Sequence, residues 1–147
     1  MPAIKNILVA TDLADTSERV HQYAIELANK LGAKLTLLHV FSLPIYNFPD
    51  GTFVPTAEVA AQVSDAARRH LDATTARLKE QGLDVAAVLR SGAPADEIQS
   101  VAKEIGADLI ILGTHGRGAL GRALLGSTAN AIIRTSNTPV ITIRTNQ

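Results

Sequence analysis

The chain has no cysteine among its 147 residues. That excludes a disulfide framework and any thiolate metal site. Aromatic residues make up only 3%, so the core has to be built from Val, Ile, Leu and Ala. There is no excess of charge: 14 basic side chains are matched by 14 acidic ones. Nucleic-acid binding usually shows as a strong basic excess, and an anionic membrane is met by a polybasic patch. Neither nucleic acid nor membrane is therefore an expected partner. No apolar run approaches the ~20 residues that span a bilayer. The opening MPAIKNILVATD is too short in its apolar part for a secretion signal and meets Asp12 at once. A soluble cytoplasmic protein is the expectation. The four histidines stand far apart with no HxxxH or HExxH spacing, so no protein-built metal site is expected.

Hydrophobic residues are plentiful, at 46%. A chain of this length is expected to form one domain, 1–147, and to bury roughly 70% of its unfolded surface. Short strand-like runs alternate with helix-length amphipathic ones. Lys5–Thr11 (KNILVAT) reads as a first strand. Between Thr16 and Leu31, the residues Val20, Tyr23, Ala24, Leu27, Ala28 and Leu31 recur at helical spacing. Asp15 with Glu18 fits a capping box at the start of that helix, and Gly32 fits its C′ position. Ala33–Val40 is a second strand, followed by the proline-containing loop SLPIYNFPDGTFVP. A long helix is expected over Thr56–Gln81, with Val59, Val63, Ala67, Leu71 and Leu78 as its buried stripe and Gly82 closing it. Leu83–Arg90 is a third strand. A third helix opens at Pro94, buries Ile98, Val101, Ala102 and Ile105, and stops at Gly106. Ala107–Gly113 (ADLIILG), the short helix STANAIIRTS from Ser127, and Pro139–Arg144 complete the chain. Strands that alternate with helices imply an α/β protein with a parallel sheet covered on both faces.

In such a sheet, ligands bind beyond the carboxyl ends of the strands, where the strand order reverses. Thr11-Asp12, Val40 and the glycine-rich stretch Gly113–Thr128 all follow strands. That last stretch, GTHGRGALGRALLGST, holds five glycines between a strand and a helix. Loop amides and a helix N-terminus make a ready anion site there. It is not a Walker A loop, because no GK[ST] follows. It is not the dinucleotide fingerprint, because the first strand–helix turn, TDLADT, has no glycine.

The spacing Gly113-x2-Gly116-x9-Gly126-Ser127 resembles the nucleotide-binding motif of the universal stress protein family. ILVATD, LLHV, GADLIILGTHGRG and LLGSTANAIIRTSNTPVITIR extend that resemblance over the whole chain. The resemblance implies a Rossmann-like, open five-stranded parallel sheet of order 3-2-1-4-5. It also implies an ATP-binding regulatory or stress-response module, with Mg²⁺ carried by the nucleotide. It puts Asp12 beside the ribose or the phosphate-bound metal, Ala10 and Thr11 at the end of the first strand, and Val40 against the adenine. Gly113, Thr114, His115, Gly116, Arg117, Gly126, Ser127 and Thr128 fall around ribose and phosphates. Ala129 offers its amide where some members present a hydroxyl, and Ala10 stands where some have proline. Finally, it implies a homodimer joined through the fifth strand, Val140, Ile141, Thr142 and Ile143, which is the sheet edge.

Several residues carry a second reading. Ser127 also suits the N-cap of its helix. Arg117 and Arg122 suit either phosphate pairing or solvent. His115 is a candidate base, or a loop residue that contributes its amide. The loop Phe41 to Phe53 carries all three phenylalanines, and these either form a lid or partner surface or pack on their own domain. Phosphoryl transfer needs a residue that orients the nucleophile, and no convincing one stands out, so no catalytic residue is assigned. A slow ATPase in the same pocket and a stress protein that binds no nucleotide are the alternatives.

Overall fold

The computed structural model of the protein describes residues 3–114 and 125–145. Seven strands occur among them: β1 (Asn6–Thr11), β2 (Lys34–Phe41), β3 (Tyr46–Phe48), β4 (Gly51–Phe53), β5 (Val85–Ser91), β6 (Leu109–Gly113) and β7 (Val140–Ile143). Four α-helices join them: α1 (Glu18–Leu31), α2 (Ala57–Lys79), α3 (Pro94–Ile105) and α4 (Ser127–Thr135). Five strands form one parallel sheet in the order β5-β2-β1-β6-β7. Counted over that sheet alone, the order is 3-2-1-4-5, as expected.

The sheet is parallel because its strands are apolar on both faces and each needs a crossover to reach the next. On one face Ile7, Val9, Leu35, Leu37 and Ile111 pack against Val20 and Ala24 of α1 and Leu71 and Leu78 of α2. On the other face Leu8, Leu38, Ile110 and Leu112 pack against Ile98 and Val101 of α3 and Ile132 of α4. Asp108 pins the register of the sheet centre, its Oδ2 accepting the N–H groups of Lys5 and Asn6 at 2.9 Å each.

Gly32 and Gly106 close α1 and α3 in the left-handed region, at φ 64° and 65°. A side chain there would cost backbone energy, which is why glycine ends both helices. The start of α1 departs from expectation. Asp15–Ser17 forms a single 3-10 turn, Ser17 is the N-cap, and no side chain caps the helix. The capping box of Asp15 and Glu18 does not form, because Asp15 is taken up in that turn and the Ser17 hydroxyl donates to Asp12 instead. The buried arc of α1 is Val20, His21, Ala24, Ile25 and Ala28. Tyr23 and Leu31, expected inside, are 45% and 44% exposed.

The second helix shows a similar limit of pattern reading. Thr56 caps α2 by accepting the Val59 N–H at 3.2 Å, yet the buried residues are Leu71, Thr74, Thr75 and Leu78, all in its second half. Val59 is 42% exposed. At 1.5 Å per residue α2 is roughly 34 Å long, against roughly 23 Å for the strand it covers. Its first half therefore overhangs the sheet. The helix ends at Lys79, ahead of the expected Gln81.

The proline-containing segment holds a short antiparallel hairpin, β3 with β4. Tyr46 and Phe48 stack with ring centroids 6.3 Å apart, and Ile45, Tyr46, Phe48, Phe53 and Val54 are all exposed. Phe41 is half-buried at the end of β2, whereas Tyr46, Phe48 and Phe53 do not pack on the described core.

Ile110 is fully buried in the sheet centre. Ile110→Ala is expected to cost about 2–5 kcal/mol in urea unfolding, whereas Val59→Ala, on the overhang, should change stability by less than about 0.5 kcal/mol.

Candidate functional site

The chain reverses direction across the sheet at β1, which pairs with β2 on one side and β6 on the other. Beyond the carboxyl ends of these strands opens a cavity of about 770 Å³, a volume within the roughly 300–1,000 Å³ of small-molecule sites. Ala10, Thr11 and Asp12 of the β1 end line it, with Leu38, His39, Val40, Phe41 and Ser42 of β2. Leu112, Gly113 and Thr114 of the β6 end, residues 125–129 at the start of α4, and Pro94 and Ile98 at the start of α3 complete most of the wall. Thus Ala10, Thr11, Asp12, Val40, Gly113, Thr114, Gly126, Ser127, Thr128 and Ala129, singled out from sequence, surround one cavity. His115, Gly116, Arg117 and Arg122 lie outside the described residues.

Apolar and polar residues both line the cavity. Ala10, Leu38, Val40, Ile98 and Leu112 belong to the core layer beneath α3 and α4 and surface at its floor. Gly126–Thr128, where α4 opens, line the same cavity. The Gly126 N–H donates to the Thr114 carbonyl, and the Thr114 N–H donates to Ile143 O at 2.9 Å, so the helix start is tied to the ends of β6 and β7. Gly126, not Ser127, is the N-cap, which corrects the second reading of Ser127. The Gly126 backbone, φ −68° and ψ 160°, is one that any residue adopts.

The α4 N-terminus differs from those of the other helices. It has no acidic residue in its first turn and no side-chain cap. α1 has Glu18 there, α2 has Glu58 and the Thr56 cap, and α3 has Asp96 and Glu97. Among the described residues, no acidic side chain of its own first turn and no side-chain cap offsets the positive end of the α4 dipole.

Asp12 sits on a tight turn. Its Oδ1 accepts the Ala14 N–H at 2.9 Å and the Ser17 hydroxyl. Leu13 next to it has φ 62°, a left-handed conformation that costs an L-residue about 1–2 kcal/mol. The turn is held by Thr11, whose Oγ1 accepts the Leu13 N–H at 3.0 Å and lies 2.9 Å from His21 Nε2. The Thr11 carbonyl accepts from His39 Nδ1 at 2.9 Å. Sequence reasoning overlooked Ser17, His21 and His39. Two of them come from the α1 start rather than a strand end, and only His39, beside Val40 in LLHV, carried a local signal.

His21 is 3% exposed. Burial pushes its pKa below the ordinary value, more than the neighbouring Glu18 raises it. Burial pushes Glu18 up, but hydrogen bonds from Gln22 and Arg77 and the Arg77 charge outweigh this, and the carboxyl is held low. His21, Glu18 and Arg77 line a second cavity of about 450 Å³ together with Leu13, Ala14, Asp15, His70 and Thr74. Among the described residues, no three His, Cys, Asp or Glu side chains are grouped to hold a metal ion, and no helix is long and apolar enough to cross a membrane.

Comparison with known proteins gives a consistent picture. A family model described as the universal stress protein family matches residues 3–144. Universal stress protein MJ0531 of Methanocaldococcus jannaschii is 30% identical over 142 residues, covering 95% of this chain and 82% of its own. A universal stress protein crystallised in complex with cAMP superposes with TM-score 0.72 at 27% identity, covering 99% of this chain and 100% of its own. One from Archaeoglobus fulgidus in complex with dAMP superposes with TM-score 0.67 at 26% identity, over 97% and 100%.

The lowered pKa of His21 has a consequence for stability. As pH falls through about 6.5, the unfolded chain takes up the proton before the folded chain does. Its contribution is therefore complete above that pH and declines as pH falls toward the folded pKa. Urea unfolding free energy should drop more steeply from pH 7 to pH 5 in the native chain than in His21→Gln; parallel curves would contradict the assignment.

Proposed function

The chain belongs to the universal stress protein family, and we propose that it serves there as an ATP-binding regulatory module. One observation carries the reading: the N-terminus of α4, with no acidic first turn and no side-chain cap among the described residues, lines the same cavity as the apolar Ala10, Leu38, Val40, Ile98 and Leu112. An adenine nucleotide has chemistry to match both, a flat weakly polar base and an anionic phosphate chain. The complexes of two similar structures with cAMP and dAMP support an adenine nucleotide here.

In this reading the base lies against Ala10 and Val40, and Asp12 takes the ribose or a Mg²⁺ brought with the phosphates. Thr11 holds the turn beneath them. The phosphates meet Gly113, Thr114, Gly126, Ser127, Thr128 and the amide of Ala129, with His115, Gly116 and Arg117 completing the loop. Ala129 is itself buried in the core, which suits a role through its main chain. The one carboxylate in the described wall, Asp12, already spends Oδ1 on Ala14 and Ser17. That favours holding the nucleotide over activating a water against it.

Calorimetry with Mg-ATP tests the reading directly. The native chain should bind, and Gly126→Val should weaken binding at least about tenfold, since a β-branched side chain would stand where phosphate must approach the amides. The backbone at Gly126 accommodates valine, so the variant should keep its helical circular dichroism. Binding that survives in Gly126→Val would place the nucleotide elsewhere.

We also propose a homodimer through β7. This strand is an edge of the sheet. The carbonyls of Pro139 and Ile143 bond to Ile110 and Thr114 on its inner side, so by alternation the main-chain groups of Val140 and Thr142 face outward. Light scattering at micromolar concentration should give a dimer for the native chain. Thr142→Pro, which removes an outward N–H without touching the β6 ladder, should give a monomer. A native monomer would refute the proposal.

A further inference from the structure

We infer that His21 is a positioning residue for the site, holding the Thr11–Ala14 turn that presents Asp12. The inference deepens the nucleotide reading and rests on it for its binding test alone. His21 lines the second cavity and is absent from the wall of the first, so it acts through Thr11.

The hydrogen positions follow from what surrounds the ring. Glu18 Oε2 lies 3.7 Å from His21 Nδ1, too far for a hydrogen bond but close enough to repel a lone pair there. Arg77 Nη1 fixes that carboxylate from α2 at 2.9 Å. His70, Asp15 and Asp12 are the other titratable groups near the ring or lining its cavity. The carboxylate selects the tautomer with the proton on Nδ1, which leaves Nε2 as an acceptor. Its partner at 2.9 Å is Thr11 Oγ1, so the Thr11 hydroxyl donates to the ring. The same oxygen accepts the Leu13 N–H. One hydroxyl thereby locks the left-handed Leu13 to α1, with Asp12 held between the two. Strained residues of this kind persist only where the surroundings over-determine them. A purely space-filling role would be met at less cost by an aliphatic side chain, as at the neighbouring buried positions Val20, Ala24 and Ile25. His21 Nδ1 has no hydrogen-bond partner in the described structure, so what keeps a histidine here is the bond on its other nitrogen.

The test compares His21→Leu, which removes the acceptor, with His21→Gln, whose side-chain oxygen reaches the Nε2 position without titrating. His21→Leu should weaken Mg-ATP binding about tenfold, and His21→Gln should recover it to within about threefold. Hydrogen exchange at the Leu13 amide should accelerate in the first variant and return toward the native rate in the second, while Ile110 in the sheet centre stays protected in both. Unchanged exchange in His21→Leu, or a glutamine variant no better than the leucine one, overturns the inference. If the native chain does not bind Mg-ATP, the nucleotide reading fails, and the Leu13 exchange rates still decide the role of His21. Should His21→Leu not fold, ¹⁵N NMR of the native imidazole decides: a proton on Nδ1 supports the lock, and a proton on Nε2 refutes it.

Discussion

β1 is hydrogen-bonded on both sides and covered on both faces, and between Asn6 and Thr11 it carries only apolar side chains. Ile7, Leu8 and Val9 are fully buried, so the strand can present chemistry only at its carboxyl end. The crossovers on its two sides leave in opposite directions, which opens a crevice between the loops after β1, β2 and β6. The cavity lies there because the sheet is closed everywhere else along its centre. Its position is thus a consequence of burial, and the residues that line it inherit the rigidity of the strands that end in it.

The chemistry of that crevice comes mostly from main chain. α3 and α4 both start at its rim, but only α3 offsets its dipole with acidic side chains in the first turn. The α4 start is tied to Thr114 and through it to β7, so its N–H groups are fixed in direction. On the other side of β1, the Asp12 turn depends on side chains: Thr11, Ser17 and His21 each place one bond on it or beside it. A site built this way has one wall set by the helix backbone and another adjusted by a small polar network.

Much of the framework was legible in the sequence because its causes are local. ILVA and LIIL announce buried parallel strands, and Gly32 and Gly106 mark helix ends where only a left-handed residue fits. The strand order came through family resemblance, since periodicity says which segments are strands and not how they neighbour. What local pattern missed depended on distant partners. The buried arc of α1 is set by where β1 and α2 lie, so His21 and Ile25 go in and Tyr23 goes out. The stripe on α2 continues past the end of the sheet that would bury it. The cap of α4 is Gly126, whose backbone is extended and whose carbonyl accepts the Asn130 N–H, while its own N–H bonds to the distant Thr114. For the site, the residues after each strand were legible, and Ser17, His21 and His39, which hold those residues in place, were not.

In the proposed function, an adenine nucleotide occupies the crevice at the β1/β6 reversal. Backbone amide NMR of the ¹⁵N-labelled protein, titrated with Mg-ATP, tests it most directly. Saturable shifts are expected at Ala10, Asp12, Val40, Gly113 and Gly126–Ala129, with the exposed hairpin at Tyr46–Phe53 unaffected. Shifts absent from these amides, or centred instead on Glu18, His70 and Arg77 in the second cavity, would contradict it.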